Sequence, residues 1–332
     1  MKQSFSRWLQ DEWYKEMYIS AFFMPISMLY ADFIRFRSFL YNIGIRKKHK
    51  IAVPVIVVGN ITVGGTGKTP LILWLARFLI EEGYKPGIIS RGYGGNAESW
   101  PQWVDEHSTA EQVGDEAVLM QARADCPVAV GQNRVDAAHM LLQKSECNII
   151  LSDDGLQHYA LERDIEIAVI DGKRRFGNGY MLPCGPLREP IDRLQTVDLI
   201  IVNGVPEEDN EFSMEIEGDV AINLSNQEER WLNEFNQQDC HAVAGIGNPQ
   251  RFFDLLEQEN LSVETHAFPD HHQFSAEDIG FSDDKPVLMT EKDAVKCIDF
   301  ATDKYWYVPI KAQPEQQFID KLLILIEEKT RG

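Results

Sequence analysis

Cysteine is scarce in this chain of 332 residues, and none of it is paired: Cys126, Cys147, Cys184, Cys240 and Cys297 are odd in number, scattered, and never arranged as C-x-x-C. That pattern argues against a disulfide framework and a zinc knuckle, and it suits a reducing, cytosolic setting. An apolar run able to cross a bilayer is also missing. The stretch Met17 to Tyr30 is 14 residues long, is interrupted by Pro25 and is followed by Asp32, whereas a spanning helix needs about 18 to 20. A secretory leader does not fit either, because Asp11, Glu12 and Glu16 precede the apolar run and no small-residue cleavage site follows. Positive charge is short overall, with a formal net charge of −20. An acidic body argues against nucleic acid as a partner, since phosphate neutralisation needs the opposite sign. There is no internal repeat and no low-complexity tract, and no obligatory protein partner is evident.

The charge deficit is unevenly spread. Residues 1–50 carry nine Lys/Arg against four Asp/Glu, so the N-terminus is a basic segment on an otherwise acidic chain. It contains Trp8, Trp13, Tyr14 and Tyr18, then the apolar stretch, then Arg35, Arg37, Arg46, Lys47, Lys48 and Lys50. Such a segment reads as one that lies on or dips into a membrane, with its basic residues at anionic headgroups. Packing as a helical hairpin against the rest of the protein is the alternative.

From Ile51 onward the pattern alternates between strands and helices. Ile51 to Val58 is a β-branched run ending at Gly59, followed by a glycine-rich turn and a helical segment from about Thr69 to Glu82. Further strands are expected at Gly87 to Ser90, Pro127 to Val130, Asn148 to Ser152, Ile165 to Ile170 and Leu199 to Val202, which together predict a doubly wound, mostly parallel α/β sheet. The charged stretch near Glu207 to Glu217 reads as a loop and a domain boundary. Three units follow: a membrane-associated helical segment over 1–50, a P-loop core over 51–205, and a smaller α/β lobe over 206–332 that closes over the site and ends in a helix at Pro314 to Glu328.

Between the first strand and the first helix stands Thr62-Val63-Gly64-Gly65-Thr66-Gly67-Lys68-Thr69. Glycines let backbone N–H groups turn inward around phosphates, Lys68 can reach the β and γ oxygens, and the Thr69 hydroxyl can face Mg²⁺. The pattern G-x-x-x-x-G-K-[ST] asks for glycine where this chain has Thr62, so the loop is a variant with its glycines shifted to Gly64 and Gly65. The run Asn148 to Leu151 then delivers Asp153 and Asp154 to the carboxyl edge of the sheet, where a P-loop protein holds its metal. A plain Asp-Asp-Gly turn is the alternative, although Gln157 and His158 make the segment unusually polar. Arg91-Gly92-Tyr93-Gly94, Gly114-Asp115-Glu116 and Pro186-Leu187-Arg188-Glu189-Pro190 add polar groups on loops at the same edge, and Asp115 alone could be only a helix cap.

These segments, with Gly59-Asn60, Thr69-Pro70, Asp153-Asp154-Gly155-Leu156-Gln157-His158, Asp270-His271 and Thr290-Glu291-Lys292-Asp293-Ala294, resemble in type and order the tetraacyldisaccharide 4′-kinases, the lipid A 4′-kinases of Gram-negative bacteria. The likeness runs nearly the whole length. It implies transfer of the ATP γ-phosphoryl group to the 4′-hydroxyl of a tetraacylated glucosamine disaccharide 1-phosphate, by a peripheral or monotopic protein at the cytoplasmic face of the inner membrane. It also implies Asp115 as catalytic base with His271 as its orienting partner. Mg²⁺ would be held by Thr69, Asp153 or Asp154 and Glu116, and the lipid headgroup met by Tyr93, Gln157, Arg188 and Glu189. Thr290 to Asp293 is either a loop near the adenine or a helix cap. A membrane-associated ATPase switch of the partitioning or targeting type is the rival; that class carries a lysine immediately before the paired glycines, where this chain has Val63.

Overall fold

The computed structural model describes residues 13–14 and 23–330; Trp8, Met17 and Tyr18 of the N-terminal segment lie outside the described residues. Among the described residues the chain forms strands β1 (Val55–Gly59), β2 (Pro86–Ser90), β3 (Gln102–Val104), β4 (Val128–Val130) and β5 (Ile149–Asp153). They are followed by β6 (Ile165–Asp171), β7 (Leu199–Asn203), β8 (Glu211–Glu217), β9 (Val220–Asn223) and β10 (Glu229–Trp231). The last five are β11 (Cys240–Ala244), β12 (Val263–Ala267), β13 (Val287–Thr290), β14 (Tyr305–Val308) and β15 (Lys311–Pro314).

Nine of them make one sheet in the order β15-β8-β7-β6-β1-β5-β2-β4-β3. Its seven central strands are parallel and only the two edges run antiparallel. The reason lies in the residues. Val55 and Val57 pack on one side while Ile56 and Val58 pack on the other, so every position of β1 is apolar, as a strand covered on both faces must be. The helix Lys68–Glu81 buries Leu71, Ile72, Leu75, Ala76 and Leu79 against one face. The helix Arg134–Lys144 buries Val135, Ala137, Ala138 and Leu141 against the other. The sheet order reverses at β1, which opens a crevice at its carboxyl end.

The second sheet, β10-β9-β14-β13-β11-β12, forms a smaller lobe with its own core around Leu232, Phe235, Phe253, Leu256 and Trp306. Two expectations about the lobes need correcting. The stretch at Glu211–Glu217 is not a boundary loop but a strand of the large sheet, parallel to β7. The C-terminal helix, Gln316–Thr330, does not close the smaller lobe: Phe318, Leu322 and Ile326 are buried in the core of the large one. The smaller lobe therefore spans about β9 to β14 and is inserted between the paired strands β8 and β15. After β13 the chain forms a short helix at Glu291–Ala294, capped by the Thr290 side chain, and a separate 3₁₀ turn at Ile298–Phe300.

The N-terminal helix, Met24–Asn42, accommodates Pro25 in its first turn, where no intrahelical N–H is lost. Ser27 and Ile34 face the protein, and the Ser27 hydroxyl donates to the Met181 carbonyl at 2.7 Å. Ile26, Met28, Leu29, Phe33, Phe36 and Phe39 face outward. Ahead of it Trp13 is buried and its Nε1 donates to the Pro183 carbonyl at 3.0 Å, so at that residue packing on the protein prevails. No helix among the described residues is long and apolar enough to cross a membrane.

Candidate active site

The phosphate-loop segment leaves β1 at Gly59 and enters its helix at Lys68. Gly67 holds φ at 102°, and a Cβ there would lie 2.5 Å from the Asn203 amide nitrogen, so only glycine fits this turn. Asn203 on β7 donates to the Thr66 carbonyl at 3.1 Å, and Arg174 donates to the Gly65 carbonyl at 3.0 Å while its Nε donates to Asp171 at 3.0 Å. Thr62, the non-glycine position, is buried and bridges to Leu187, and the Val63 N–H donates to the Pro186 carbonyl at 2.8 Å. That bridging, extended role explains why the glycines sit two residues later. It also brings Arg188 alongside the loop.

The two carboxylates at the end of β5 separate into different environments. Asp154 lies 3.4 Å from Lys68 Nζ and accepts from Arg188 Nη1 at 2.9 Å; burial would raise its pKa, but Lys68 and Arg188 hold it well below the usual carboxylate range. Asp153 is fully enclosed, accepts from the Ser90 hydroxyl at 3.2 Å through Oδ2, and has no partner at Oδ1. Burial, then the charges of Glu116 and Asp154, push its pKa up to about 7. Lys68 and Arg134 offset those charges only in part, and an orphaned carboxylate oxygen beside two further carboxylates is a position that a divalent cation would fill.

Asp115 begins the helix Asp115–Arg123. The preceding Gly114 (φ 92°) passes so close to Tyr93 that a Cβ would lie 2.4 Å from its carbonyl oxygen. Across the lobe boundary His271 points Nδ1 at Asp115, 3.0 and 3.1 Å from the two carboxylate oxygens. Burial would raise the Asp115 pKa, but the His271 hydrogen bond and the ammonium groups of Lys292 and Lys296 bring it down to about 2. Burial likewise opposes charge on His271, yet the bond to Asp115 and the charges of Asp115 and Asp270 together outweigh it and the net shift is upward. The Tyr93 ring sits 4.8 Å from the imidazole.

At this crevice ion pairs and hydrogen bonds join Lys68, Asp154, Arg188 and Gln157, the charge of Glu116 acts on Asp153, and Glu116 connects through Lys292 to Asp115 and so to His271 and Tyr93; Thr69 follows Lys68 on its helix. Gln157 donates to the Asn60 carbonyl at 2.9 Å, and its own carbonyl accepts from Arg37 of the N-terminal helix at 3.0 Å. Tyr30 of the same helix donates to the Arg188 carbonyl at 3.2 Å. Glu189 does not join them: it is fully buried, accepts from Tyr159, and pairs with Arg193 at 3.5 Å. It serves to hold the chain behind Arg188.

Sequence reasoning passed over Lys292. Its Nζ lies 3.0 Å from Glu116, 3.3 Å from Asp270 and 3.9 Å from Asp115, and those three carboxylates, outweighing the effect of burial, raise its pKa. The segment Thr290 to Asp293 is a helix cap, with Thr290 Oγ1 accepting from the Asp293 N–H at 3.2 Å, and the cap aims Lys292 into the cleft. The only signal was that lysine's presence in a polar segment, which does not specify a direction.

Comparison with known proteins adds an independent line. The family model described as tetraacyldisaccharide-1-P 4′-kinase matches residues 19–327. A tetraacyldisaccharide 4′-kinase of Nitrosococcus oceani is 50% identical over 319 residues, covering 96% of this chain and 94% of that protein. One of Methylobacillus flagellatus is 50% identical over 325 residues, covering 97% of each. Among solved structures, the LpxK of Aquifex aeolicus, in an "apo" form in complex with ATP, superposes with a TM-score of 0.79 at 28% identity over 94% of this chain and all of that one.

Proposed function

The chain belongs to the tetraacyldisaccharide-1-phosphate 4′-kinase family, and from that membership we infer that it moves the γ-phosphoryl group of ATP onto the 4′-hydroxyl of a tetraacylated glucosamine disaccharide 1-phosphate, a lipid A precursor. The observation that carries the reading is the carboxylate and imidazole pair of Asp115 and His271, drawn from two lobes, on a chain whose P-loop lysine is held 3.4 Å from Asp154. Incubating the purified chain with ATP, Mg²⁺ and the disaccharide 1-phosphate in detergent should yield a lipid with a second phosphate, located at the 4′ position by mass spectrometry. ATP turnover without a phosphorylated lipid would favour the ATPase switch instead.

Lys68 and the amides of residues 64–69 would cradle the β and γ phosphates. Asp153, through its orphaned Oδ1, the Thr69 hydroxyl and Glu116 would hold Mg²⁺, while Asp154, committed to Lys68 and Arg188, keeps those two cations aligned. Bound there, Mg²⁺ would neutralise charge that builds on the phosphate oxygens during transfer. Asp115 and His271 act as one acceptor: as the 4′-oxygen attacks phosphorus, its proton passes to the carboxylate, and Nδ1 of His271 shares it. Arg188 can give two parallel hydrogen bonds to a phosphate group of the lipid, with Tyr93 and Gln157 beside it.

The pair also sets a pH dependence. His271 is raised and Asp115 lowered, so the ionised pair is complete between about pH 4, the unfolded Asp value, and pH 6.5, the unfolded His value. Its stabilising contribution is lost as pH rises through the raised imidazole value, and lost at the acid end as pH falls toward 2. The proton-accepting form is the one with neutral imidazole. Under saturating substrates kcat should therefore climb with pH through a midpoint above about 6.5. A limb of the same midpoint in His271→Asn would remove the histidine from this role.

We assign the outward apolar face of Met24–Asn42 to the membrane, peripherally at the cytoplasmic leaflet of the inner membrane, where the neighbouring Arg35, Arg46, Lys47 and Lys48 meet anionic lipid. Phe33 and Phe36 are each 60% exposed, so charging them should leave the fold intact. Burying such a ring contributes about 1.5–3 kcal/mol, and the Phe33→Glu/Phe36→Glu double variant should bind anionic vesicles at least about 100-fold more weakly. Unchanged co-sedimentation would place the anchor elsewhere.

A further inference from the structure

The smaller lobe carries a cluster of metal-ligating side chains at the end of its sheet remote from the catalytic cleft. His241 is the second residue of β11, and in the register of β11 with β12 it stands opposite Glu264, with Val243 opposite His266. Residues two apart share a face of a strand, so His241, Glu264 and His266 project from the same face. His241 Nδ1 lies 3.0 Å from His266 Nε2 and 3.7 Å from a Glu264 carboxylate oxygen, and His266 Nε2 lies 4.0 Å from the other. Among the described residues this is the single group of three such ligands whose donor atoms all fall within 4.8 Å of one another.

The surroundings prepare those atoms for a cation. His241 is 3% exposed, and its far nitrogen, Nε2, lies 3.0 Å from Asp283 Oδ1. An ionised carboxylate only accepts, so Nε2 carries the hydrogen and Nδ1 presents a lone pair to the centre of the cluster. That carboxylate-to-histidine arrangement is the outer partner that orients metal-bound imidazoles. The Phe281 ring stacks on His241 at 3.8 Å and lies 4.4 Å from the His266 ring, shielding one side.

We propose that His241 Nδ1, His266 Nε2 and the Glu264 carboxylate form a site for a divalent transition ion of the zinc class. Two imidazoles and a carboxylate suit zinc and cobalt and are poor for magnesium, which takes oxygen ligands in an octahedron. Zinc to nitrogen bonds of about 2.0–2.1 Å in a tetrahedron separate two ligand nitrogens by about 3.3 Å, so the pair at 3.0 Å has only to part slightly, and solvent supplies the fourth ligand. The ion would fasten the edge strand β12 to β11. It would thereby anchor the strand that leads within five residues to His271.

The test uses the full chain with millimolar Mg²⁺ present, so that the catalytic carboxylates are occupied, and Zn²⁺ titrated against a chromogenic chelator. One equivalent should bind with a Kd below about 1 μM, and saturation should raise the melting temperature by about 5 °C. Cobalt should give the intense visible bands of a four-coordinate ion. His266→Ala should weaken binding about 100-fold or more and abolish those bands, and Asp283→Asn should cost about 10- to 100-fold. Both positions are partly exposed, so these variants remain informative even where His241→Ala fails to fold. Undiminished zinc affinity in folded His266→Ala, or no stoichiometric binding by the unaltered chain, overturns the site.

Discussion

Asp115→Ala and His271→Ala should each lower kcat by about 10²- to 10⁴-fold, the range typical of a positioned proton acceptor, with a modest change in the KM for ATP. The two side chains come from different lobes, yet they share a hydrogen bond at 3.0 Å and pull each other's pKa in opposite directions. Groups that act as a unit are non-additive, so the double variant should be hardly slower than the slower single one. Single-turnover rates on pre-bound ATP would separate proton acceptance from binding. Defects that multiply would show independent roles, and an unaltered kcat in His271→Ala would leave Asp115 working without this partner.

Lys68→Ala should be as severe, lowering kcat/KM by about 10³-fold, but by another route. Lys68 is the lysine of the P-loop segment, and it is also one of the two cations that pair directly with Asp154. On the proposed reading its removal takes a clamp from the transferring phosphate, and it leaves Asp154 to Arg188 and the more distant charge of Arg134. Partial exposure of the lysine side chain argues that the fold survives, which circular dichroism would check alongside turnover. Near-normal phosphorylation by a folded variant would remove Lys68 from the phosphate site.

Much of this was legible in the residues because the signals are local. Val55 to Val58 and Ile149 to Leu151 are too short and too β-branched to be anything but buried strands, and the glycines and Lys68 follow the first of them at once. The acidic end of β5 was legible for the same reason. What stayed hidden depends on contacts between distant parts of the chain. The strand Glu211–Glu217 has charged residues at both ends and reads as a loop until β15, a hundred residues later, pairs with it. The allegiance of the C-terminal helix is decided by Phe318 against Trp74 and Phe212. Glu189 stands next to Arg188 in a polar segment, yet Tyr159 and Arg193 draw it inward. Lys292 gains its role only once the lobes are assembled.

Because β8 and β15 lie side by side, the smaller lobe leaves the large sheet and returns to it through two adjacent strands. During synthesis this order has a consequence. The smaller lobe has its own core and emerges complete before residues 311–330 do, so it can fold on the ribosome while the large lobe still lacks Phe318, Leu322 and Ile326. The phosphate loop and its carboxylates, encoded early, therefore wait for the last stretch of chain before the sheet that carries them is sealed. Any chain released short of that stretch would expose an apolar edge, marking it for proteolysis.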